Sequence, residues 1–274
     1  MGRKIVVTSL LLGIIQGLTE FLPISSSGHL VIIQKFFPPK SSNLFFDVML
    51  HFGTLMAVLF YFRKDLYLIF SNLFIFLRDF LKNKKLNLKQ SPYILLFFFI
   101  IIGSIPAGLI GFFLENWIET LFIKPQVVGI TFLITGFILF GTKFASSKKK
   151  GIEEMKIIDS FFIGLAQAAA LLPGISRSGT TISTGIFLGF KKDFAFNFSF
   201  LLSIPAVLGA TFFEFFHVTF FQKEEITGII IGTLSAAFTG YLTLKLLIKI
   251  IRKGKFYYFS YYCFLAGIFT ILCL

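Results

Sequence analysis

Long apolar runs, separated by short polar connections, occupy most of the chain. An α-helix needs about 20 apolar residues to cross the hydrocarbon core of a bilayer, so such runs predict membrane-spanning helices. Six runs are continuous: residues 44–62, 92–113, 126–142, 194–216, 226–248 and 257–273. Residues 66–82 instead carry the amphipathic pattern of a helix that lies in the membrane interface. The pattern therefore predicts an all-α polytopic membrane protein.

Two further apolar runs are interrupted in the middle by proline and a cluster of polar residues. They are residues 5–33, called here the first broken segment, and residues 158–190, the second broken segment. Backbone that leaves the helix at membrane depth is tolerated only where it lines a polar cavity. Each broken segment is therefore predicted to enter and leave the membrane on the same side, as a re-entrant helix-loop-helix hairpin.

The two broken segments are similar to each other. Without a gap, residues 13–28 align with residues 164–179 at a constant offset of 151. Six of the identical positions are Gly13/Gly164, Gln16/Gln167, Ile24/Ile175, Ser25/Ser176, Ser27/Ser178 and Gly28/Gly179. Two positions differ in chemistry: Glu20 aligns with Leu171 and Ser26 aligns with Arg177. Chance likeness between two short turns rich in serine and glycine is the alternative to an internal repeat.

An internal repeat explains how the spans are distributed. With one hairpin and three spans each, the two halves cover about residues 1–143 and 157–274 of a single membrane domain, residues 1–274. Three is an odd number, so the second half must be inverted relative to the first, as in many transporters. The prediction is six transmembrane helices plus two re-entrant hairpins in inverted-topology repeats.

Basic residues agree with this topology. The chain has 26 Lys and Arg residues and a net charge of +13. In the predicted topology, 19 of the 26 lie on one side of the membrane, 6 lie on the other, and Arg177 lies between. The positive-inside rule assigns the richer side to the cytoplasm. Both termini are then outside a plasma (inner) membrane, and the basic charge indicates contacts with anionic membrane lipids and no nucleic-acid partner.

The second broken segment carries the side chains of an anion site. Pro173 and Gly174 end an apolar helix, since proline lacks the amide hydrogen that continues the ladder. The polar residues that follow are Ser176, Arg177, Ser178, Thr180 and Thr181. An arginine at bilayer depth is costly and indicates a function, and guanidinium, hydroxyl and helix N-terminal amide groups all donate hydrogen bonds to phosphate. The alternative is an arginine that reaches the interface or pairs with a buried carboxylate.

The first broken segment carries acid-base and nucleophilic groups. They are Gln16, Glu20, Ser25, Ser26, Ser27 and His29. Gln16 and Glu20 are four residues apart and share one helix face, and His29 is close enough to the serines to act as base or acid for a hydroxyl. Together with Arg177, the set is typical of phosphate-ester or phosphoanhydride hydrolysis on a lipid, with a divalent cation held by Glu20.

Asp47 and His51 are also four residues apart, within the span 44–62. They are predicted to pair with each other or with the site, and a structural role is favoured. No cluster of His and Cys residues in the sequence has the spacing of a zinc site.

Three motifs resemble the signature motifs of the bacterial undecaprenyl-diphosphatase (bacitracin-resistance protein) family. They are Gln16-Gly-Leu-Thr-Glu20, Pro23-Ile-Ser-Ser-Ser-Gly-His29 and Pro173-Gly-Ile-Ser-Arg-Ser-Gly-Thr-Thr181, and the resemblance covers nearly the whole chain. It implies removal of the terminal phosphate from undecaprenyl diphosphate, with Mg²⁺ or Ca²⁺. This reaction recycles the lipid carrier for peptidoglycan synthesis. The family pattern has Glu or Gln at its first position, so Gln16 is allowed but cannot act as a second acid.

Roles follow for individual residues. Catalysis is predicted to depend on Glu20, Ser26, His29 and Arg177, and phosphate binding on Gln16, Ser25, Ser27, Ser176, Ser178 and Thr181, with Glu20 also the metal ligand. The resemblance favours Ser26 as a nucleophile activated by His29. Water activated by His29 or Glu20 is the alternative. The expected partner is a polyprenyl diphosphate lipid, and the pattern is compatible with a homodimer.

A different class of function is the alternative to an enzyme. Inverted repeats with broken helices are typical of secondary transporters, so a transporter or flippase for a phosphorylated lipid or another anion would have the same topology. A transporter needs an anion site, but it does not need a carboxylate, serines and an imidazole beside an arginine. The sequence therefore favours the enzyme, with an active site that opens to the outer, periplasmic face.

Overall fold

The computed structural model describes residues 2–37, 44–83, 91–122, 124–145, 150–217 and 223–274, and this part of the chain is almost entirely helical. The helices are α1 (Gly2–Phe21), α2 (Ser26–Phe36), α3 (Leu44–Tyr61), α4 (Arg63–Asn83), α5 (Pro92–Phe122), α6 (Pro125–Gly141), α7 (Ile157–Ala169), α8 (Arg177–Phe187), α9 (Lys192–His217), α10 (Lys223–Arg252) and α11 (Phe259–Cys273). Two short 3₁₀ turns follow α6 and precede α11. The described residues form no strand, only one isolated bridge between Lys150 and Phe190.

Seven of the described helices are long and apolar enough to cross a membrane. Six of them, α3, α5, α6, α9, α10 and α11, coincide with the six continuous runs that the sequence predicts. The seventh candidate lies in α1, the first arm of the first broken segment, over Lys4–Phe21. The predicted interfacial helix is α4. The protein is thus a polytopic membrane protein built almost entirely of helices.

The first broken segment leaves the helix at Phe21, two residues before Pro23, and the second leaves it at Ala169, four residues earlier than the predicted end at Pro173. Both segments begin again in the same way. Ser25 precedes α2 and its side chain accepts a hydrogen bond from the Gly28 amide at 3.3 Å. Ser176 precedes α8 and accepts from the Gly179 amide at 3.0 Å. Serine is among the best residues at this capping position, because its oxygen satisfies an amide that the first helical turn leaves unpaired. The two caps lie at the aligned positions of the two segments.

Each break also requires an unusual backbone conformation. Gly174 has φ of +91° in the second segment, which costs glycine little. In the first segment Ser25 has φ of +65°, and it is the one non-glycine residue with positive φ in the part of the chain that the structure describes. A serine in this region is strained by about 1 kcal/mol or more, so the surrounding contacts must hold it there.

Side chains from α6 and α11 bind the backbone of the two breaks. The Thr135 hydroxyl donates to the Gly174 carbonyl at 3.0 Å and accepts from the Ser176 amide at 3.1 Å. The Cys263 thiol lies 3.6 Å from the Pro23 carbonyl, to which it donates. A polar backbone group buried without a partner costs free energy comparable to a lost hydrogen bond, so these side chains stabilise the buried non-helical backbone. Pro23 and Gly174 are aligned positions of the two segments.

Helices from the two ends of the chain pack against each other. α1 packs mainly on α10, and α7 packs mainly on α5. α3 contacts both α9 and α10, while α6 lies along α11. The contacts therefore follow a rule: exchanging α1 with α7, α3 with α9, α5 with α10 and α6 with α11 maps each of these helix pairs either onto itself or onto another pair in contact.

Glycine allows the closest of these approaches. Gly164 of α7 faces Gly103 of α5, and a Cβ added to Gly164 would collide with the Gly103 backbone. By contrast, a Cβ on Gly108 of α5 would meet no atom within 4 Å. The contact between α5 and α7 therefore depends on the absence of a side chain at Gly164.

Gly164→Ala is expected to destabilise the protein by about 1–3 kcal/mol, because backbone cannot move aside for the new methyl group. Gly108→Ala is the matched control, and it should leave stability unchanged or raise it by up to about 1 kcal/mol, since alanine is the better helix former. Thermal unfolding of the purified variants in detergent measures both. Equal melting temperatures for the two variants would contradict the close packing of α5 on α7.

Candidate active site

The site is organised around the carboxylate of Glu20, at the end of α1. Its side chain is only 7% exposed. Oε1 accepts a hydrogen bond from Nη2 of Arg177 at 2.7 Å, in an ion pair. Oε2 accepts from the Ser26 hydroxyl at 2.5 Å and from Nε2 of Gln16 at 3.0 Å. One buried carboxylate therefore joins both broken segments.

The local sequence explains why these side chains meet. Gln16 and Glu20 are one helical turn apart on α1, so they lie on the same face. Ser26 is the first residue of α2 and Arg177 is the first residue of α8. These two are the aligned positions at which the broken segments differ, so the same place in each helix start supplies a hydroxyl in one segment and a guanidinium in the other.

His51 of α3 completes the surroundings of Glu20. Its Nδ1 lies 3.1 Å from Oε2 of Glu20 and 2.9 Å from Nε2 of Gln16. The sequence left open whether His51 pairs with Asp47 or with the site, and the structure places it in the site. Asp47 instead accepts a hydrogen bond from Nε2 of Gln34 at 2.6 Å, which ties α3 to α2. In the sequence, the signal for the contacts of His51 and Asp47 is their spacing, two polar residues four positions apart in an apolar span.

His29 forms its hydrogen bonds with Ser25 and Tyr262 and not with Ser26. Its Nδ1 is 2.7 Å from the Ser25 carbonyl, which can only accept, so Nδ1 carries the hydrogen. Its Nε2 is 2.6 Å from the hydroxyl of Tyr262, whose ring stacks on the imidazole at 5.7 Å. The structure thus differs from the predicted pairing of Ser26 with His29, since the hydroxyl of Ser26 donates to Glu20. Tyr262 lies 233 residues from His29, and no local sequence pattern indicates this contact.

The other hydroxyls of the first broken segment lie beside the site. The hydroxyls of Ser25 and Ser27 are 3.2 Å apart, and the Ser25 hydroxyl also caps α2. Ser27 is less buried than Ser25 and Ser26. Of the three serines, Ser26 alone has a hydroxyl bonded to the buried carboxylate, which distinguishes it from its neighbours.

The hydroxyls of the second broken segment are engaged within the protein. Ser176 caps α8 and lies 3.3 Å from the hydroxyl of Ser178, which donates to the Leu22 carbonyl at 3.4 Å. Thr181 donates to the Arg177 carbonyl at 2.7 Å and lies 2.6 Å from the Ser199 hydroxyl. In this arrangement these three hydroxyls hold α8 in place around Arg177.

Arg177 keeps donors that the protein does not use. Its side chain is 16% exposed and its guanidinium lies over the ring of Phe200 at 5.5 Å. Nη2 binds Glu20, whereas Nη1 is buried and has no hydrogen-bond partner among the described residues. A guanidinium donates in a planar fork that matches carboxylate and phosphate oxygens. Nη1 therefore has hydrogen-bonding capacity that the described residues do not use, although the surrounding protein covers it.

A divalent cation fits the site only if the substrate helps to bind it. Among the described residues, no group of three or more His, Cys, Asp or Glu side chains could hold a metal ion. Both oxygens of Glu20 already accept hydrogen bonds. Mg²⁺ commonly takes one or two carboxylates together with water and substrate phosphate oxygens. Glu20 can thus be one ligand of a cation that a diphosphate brings with it.

Comparison with known proteins identifies the family. Residues 9–269 match the family model described as "Bacitracin resistance protein BacA". A protein of Methanobrevibacter smithii named undecaprenyl-diphosphatase is 39% identical over 269 residues, covering 97% of both chains. Proteins of the same name from Carboxydothermus hydrogenoformans and Halothermothrix orenii are 40% and 42% identical, covering 97% and 95% of this chain and 96% and 95% of their own. The chain belongs to the bacitracin resistance protein BacA family.

Proposed function

We propose that this protein is an undecaprenyl-diphosphate phosphatase, which hydrolyses undecaprenyl diphosphate to undecaprenyl phosphate and inorganic phosphate. The main support for this proposal is that Ser26 and Arg177 both contact Glu20. These contacts place a hydroxyl, a base and a phosphate-binding cation together inside a membrane protein. Relatives of about 40% identity carry the name of this activity. The reaction returns the lipid carrier to cell-wall synthesis and thereby confers resistance to bacitracin.

The geometry supports Ser26 as nucleophile and Glu20 as its base. As the Ser26 oxygen attacks the terminal phosphorus, its proton passes to Oε2 of Glu20, which already accepts it in a hydrogen bond. The bond from phosphorus to the bridging oxygen breaks, and undecaprenyl phosphate leaves with the electron pair. Water then attacks the phosphoserine, and the bond from phosphorus to the Ser26 oxygen breaks. The Ser26 oxygen takes its proton back from Glu20, and phosphate leaves with the water oxygen while one proton of the water passes to solvent. Direct attack by water, with Glu20 as base, is the alternative.

In this proposal, Arg177 and a divalent cation stabilise the negative charge of the phosphoryl group in the transition state. In a loose phosphoryl transition state, positioning and charge compensation matter more than the strength of the nucleophile. The guanidinium binds the phosphate oxygens through the Nη1 donor that the protein leaves free. Glu20 would be one ligand of a Mg²⁺ or Ca²⁺ ion that the diphosphate brings with it, and the ion would supply further neutralisation of the phosphate charge.

The proposed membrane arrangement has six spans and two re-entrant hairpins in inverted repeats. Three observations support it: the helix contacts that map onto each other, the equivalent caps Ser25 and Ser176, and the 19 to 6 distribution of basic residues. In this arrangement both termini and the opening of the active site face the outer side. Six of the basic residues in that distribution lie outside the described residues. They are Lys40, Lys84, Lys85, Lys89, Lys148 and Lys149.

The same arrangement also supports a second candidate function, transport of a phosphorylated lipid or another anion. Interlocked halves with broken helices at the centre are the common architecture of secondary transporters. The hydrogen bond between Ser26 and Glu20 favours hydrolysis, because an anion site gains nothing from a hydroxyl bonded to a carboxylate.

Arg177→Ala is expected to lower the rate of phosphate release from undecaprenyl diphosphate about 10³-fold or more, because the phosphoryl charge loses its preorganised donor. Arg177→Lys should restore little, since an ammonium cannot reproduce the planar fork. The assay uses purified, detergent-solubilised protein with Mg²⁺, with Ca²⁺ and with EDTA. Wild-type protein that releases no phosphate under any of these conditions would overturn the proposed function, and an active Arg177→Ala variant would overturn the role of Arg177.

Ser26→Ala is expected to lower the same rate at least about 100-fold, because the nucleophile is lost. Ser71→Ala, which removes a hydroxyl bonded to a backbone carbonyl of α4, is the matched control and should keep wild-type activity. A chirally labelled thiophosphate substrate distinguishes the two mechanisms. Net retention at phosphorus indicates a phosphoserine, whereas net inversion would exclude Ser26 as the nucleophile.

Cysteine labelling tests the orientation. In a background with Cys263→Ser and Cys273→Ser, cysteine at Lys124 should react with an impermeant maleimide added to intact cells, and cysteine at Lys191 should react only after the membrane is permeabilised. The reason is that the positive-inside rule places these two positions on opposite sides. The reverse pattern would turn the active site toward the cytoplasm.

A further inference from the structure

The ion pair between Glu20 and Arg177 has only one hydrogen bond. Nη2 binds Oε1 at 2.7 Å, while Nη1 stays buried without a partner among the described residues. Carboxylates and guanidinium groups often form two parallel hydrogen bonds, which is the stronger arrangement. Something must therefore hold the second carboxylate oxygen away from Nη1.

The contacts of Oε2 of Glu20 show which groups hold this oxygen. Oε2 of Glu20 accepts from Ser26 and from Gln16, and His51 approaches both Oε2 and Gln16. Ser26 and Gln16 belong to the same broken segment as Glu20, so they move with it. His51 comes from α3, which packs against α9 and α10. It is the contact that fixes the carboxylate to a separate part of the fold.

The amide of Gln16 lies in the same contact. Its Nε2 donates to Oε2 of Glu20 at 3.0 Å and is 2.9 Å from Nδ1 of His51, which is itself 3.1 Å from Oε2. Its Oε1 is buried without a hydrogen-bond partner in the described structure. The amide thus turns its nitrogen toward Glu20 and His51 although its own oxygen stays unsatisfied, and the three side chains meet at Oε2.

We propose that His51 is a positioning residue that keeps the Glu20–Arg177 pair single-bonded, so that Nη1 of Arg177 remains free to bind a phosphate oxygen. The inference rests on the proposed function in taking a diphosphate as the ligand. His51 acts through Gln16 and Glu20. Without the imidazole, Oε2 loses the contact that fixes it to α3, Glu20 rotates, and Oε2 pairs with Nη1. The guanidinium is then saturated by protein and binds phosphate poorly.

The test measures binding of inorganic pyrophosphate, with Mg²⁺, to the purified full-length protein by calorimetry. His51→Phe keeps a ring of similar shape but removes both nitrogens, and it should weaken binding about tenfold or more, as expected for a lost hydrogen bond to a charged group. His51→Asn is the conservative control, because its amide places a polar atom near the position of Nδ1. This variant should bind within about threefold of wild type. His51→Leu provides a second apolar variant if His51→Phe does not fold.

A second background separates positioning from a general structural role. In Glu20→Gln protein, a neutral amide no longer competes for the guanidinium, so adding His51→Phe should change pyrophosphate binding less than about twofold. In the wild-type background, the loss should appear in KM for the lipid substrate more than in kcat, because phosphate binding is what changes.

The outcomes are distinct. Wild-type affinity in both His51→Phe and His51→Leu would overturn the inference, and so would an equal loss in the Glu20→Gln background or a wild-type protein that does not bind pyrophosphate. Failure of the proposed function looks different. The wild-type protein would then bind pyrophosphate in a manner that depends on His51, but it would release no phosphate from undecaprenyl diphosphate.

Discussion

A carboxylate and a guanidinium lie buried against each other within a membrane protein, and the two broken segments meet at this pair. Removing a charged group from water costs several kcal/mol, which the partner charge and additional hydrogen bonds must offset. Glu20 receives such bonds from Arg177, Ser26 and Gln16. Because Glu20 belongs to one segment and Arg177 to the other, each segment buries its charged side chain favourably only beside its counterpart.

The breaks in the two helices impose a second constraint, because the backbone groups that lose their helical hydrogen bonds there need other partners. Hydroxyls and a thiol meet it: Ser25 and Ser176 cap the helix starts, Thr135 binds Gly174, and Cys263 binds the Pro23 carbonyl. Polar residues near the site therefore fall into two groups. One group satisfies backbone, and the other, comprising Ser26, Arg177, Gln16 and His51, contacts the carboxylate of Glu20.

The sequence predicts the elements that carry the site better than it predicts the contacts within the site. Apolar runs and prolines are local signals, so the spans and the breaks follow from them, whereas the capping by Ser25 and Ser176 appears only in the structure. The Glu20–Arg177 contact joins residues 157 positions apart, and the sequence indicated it only as one alternative for a buried arginine. His51 and Tyr262 enter through packing of α3 and α11, which no local pattern specifies. For His29, sequence proximity to Ser26 suggested a pairing, but the helix start turns Nδ1 toward the Ser25 carbonyl instead.

The offset of 151 also explains why the site occurs once although the broken segments are alike. It places Leu171 at the position of Glu20 and Leu202 at the position of His51. Gln167, which aligns with Gln16, donates weakly to the Leu202 carbonyl at 3.5 Å, so the contact between the segment and its neighbouring span persists without ionisable groups. A carboxylate at Leu171 would need its own cation, because Arg177 already compensates Glu20. Where the two broken segments meet, the one guanidinium of Arg177 compensates the one carboxylate of Glu20, and leucine at the aligned position adds no second charge.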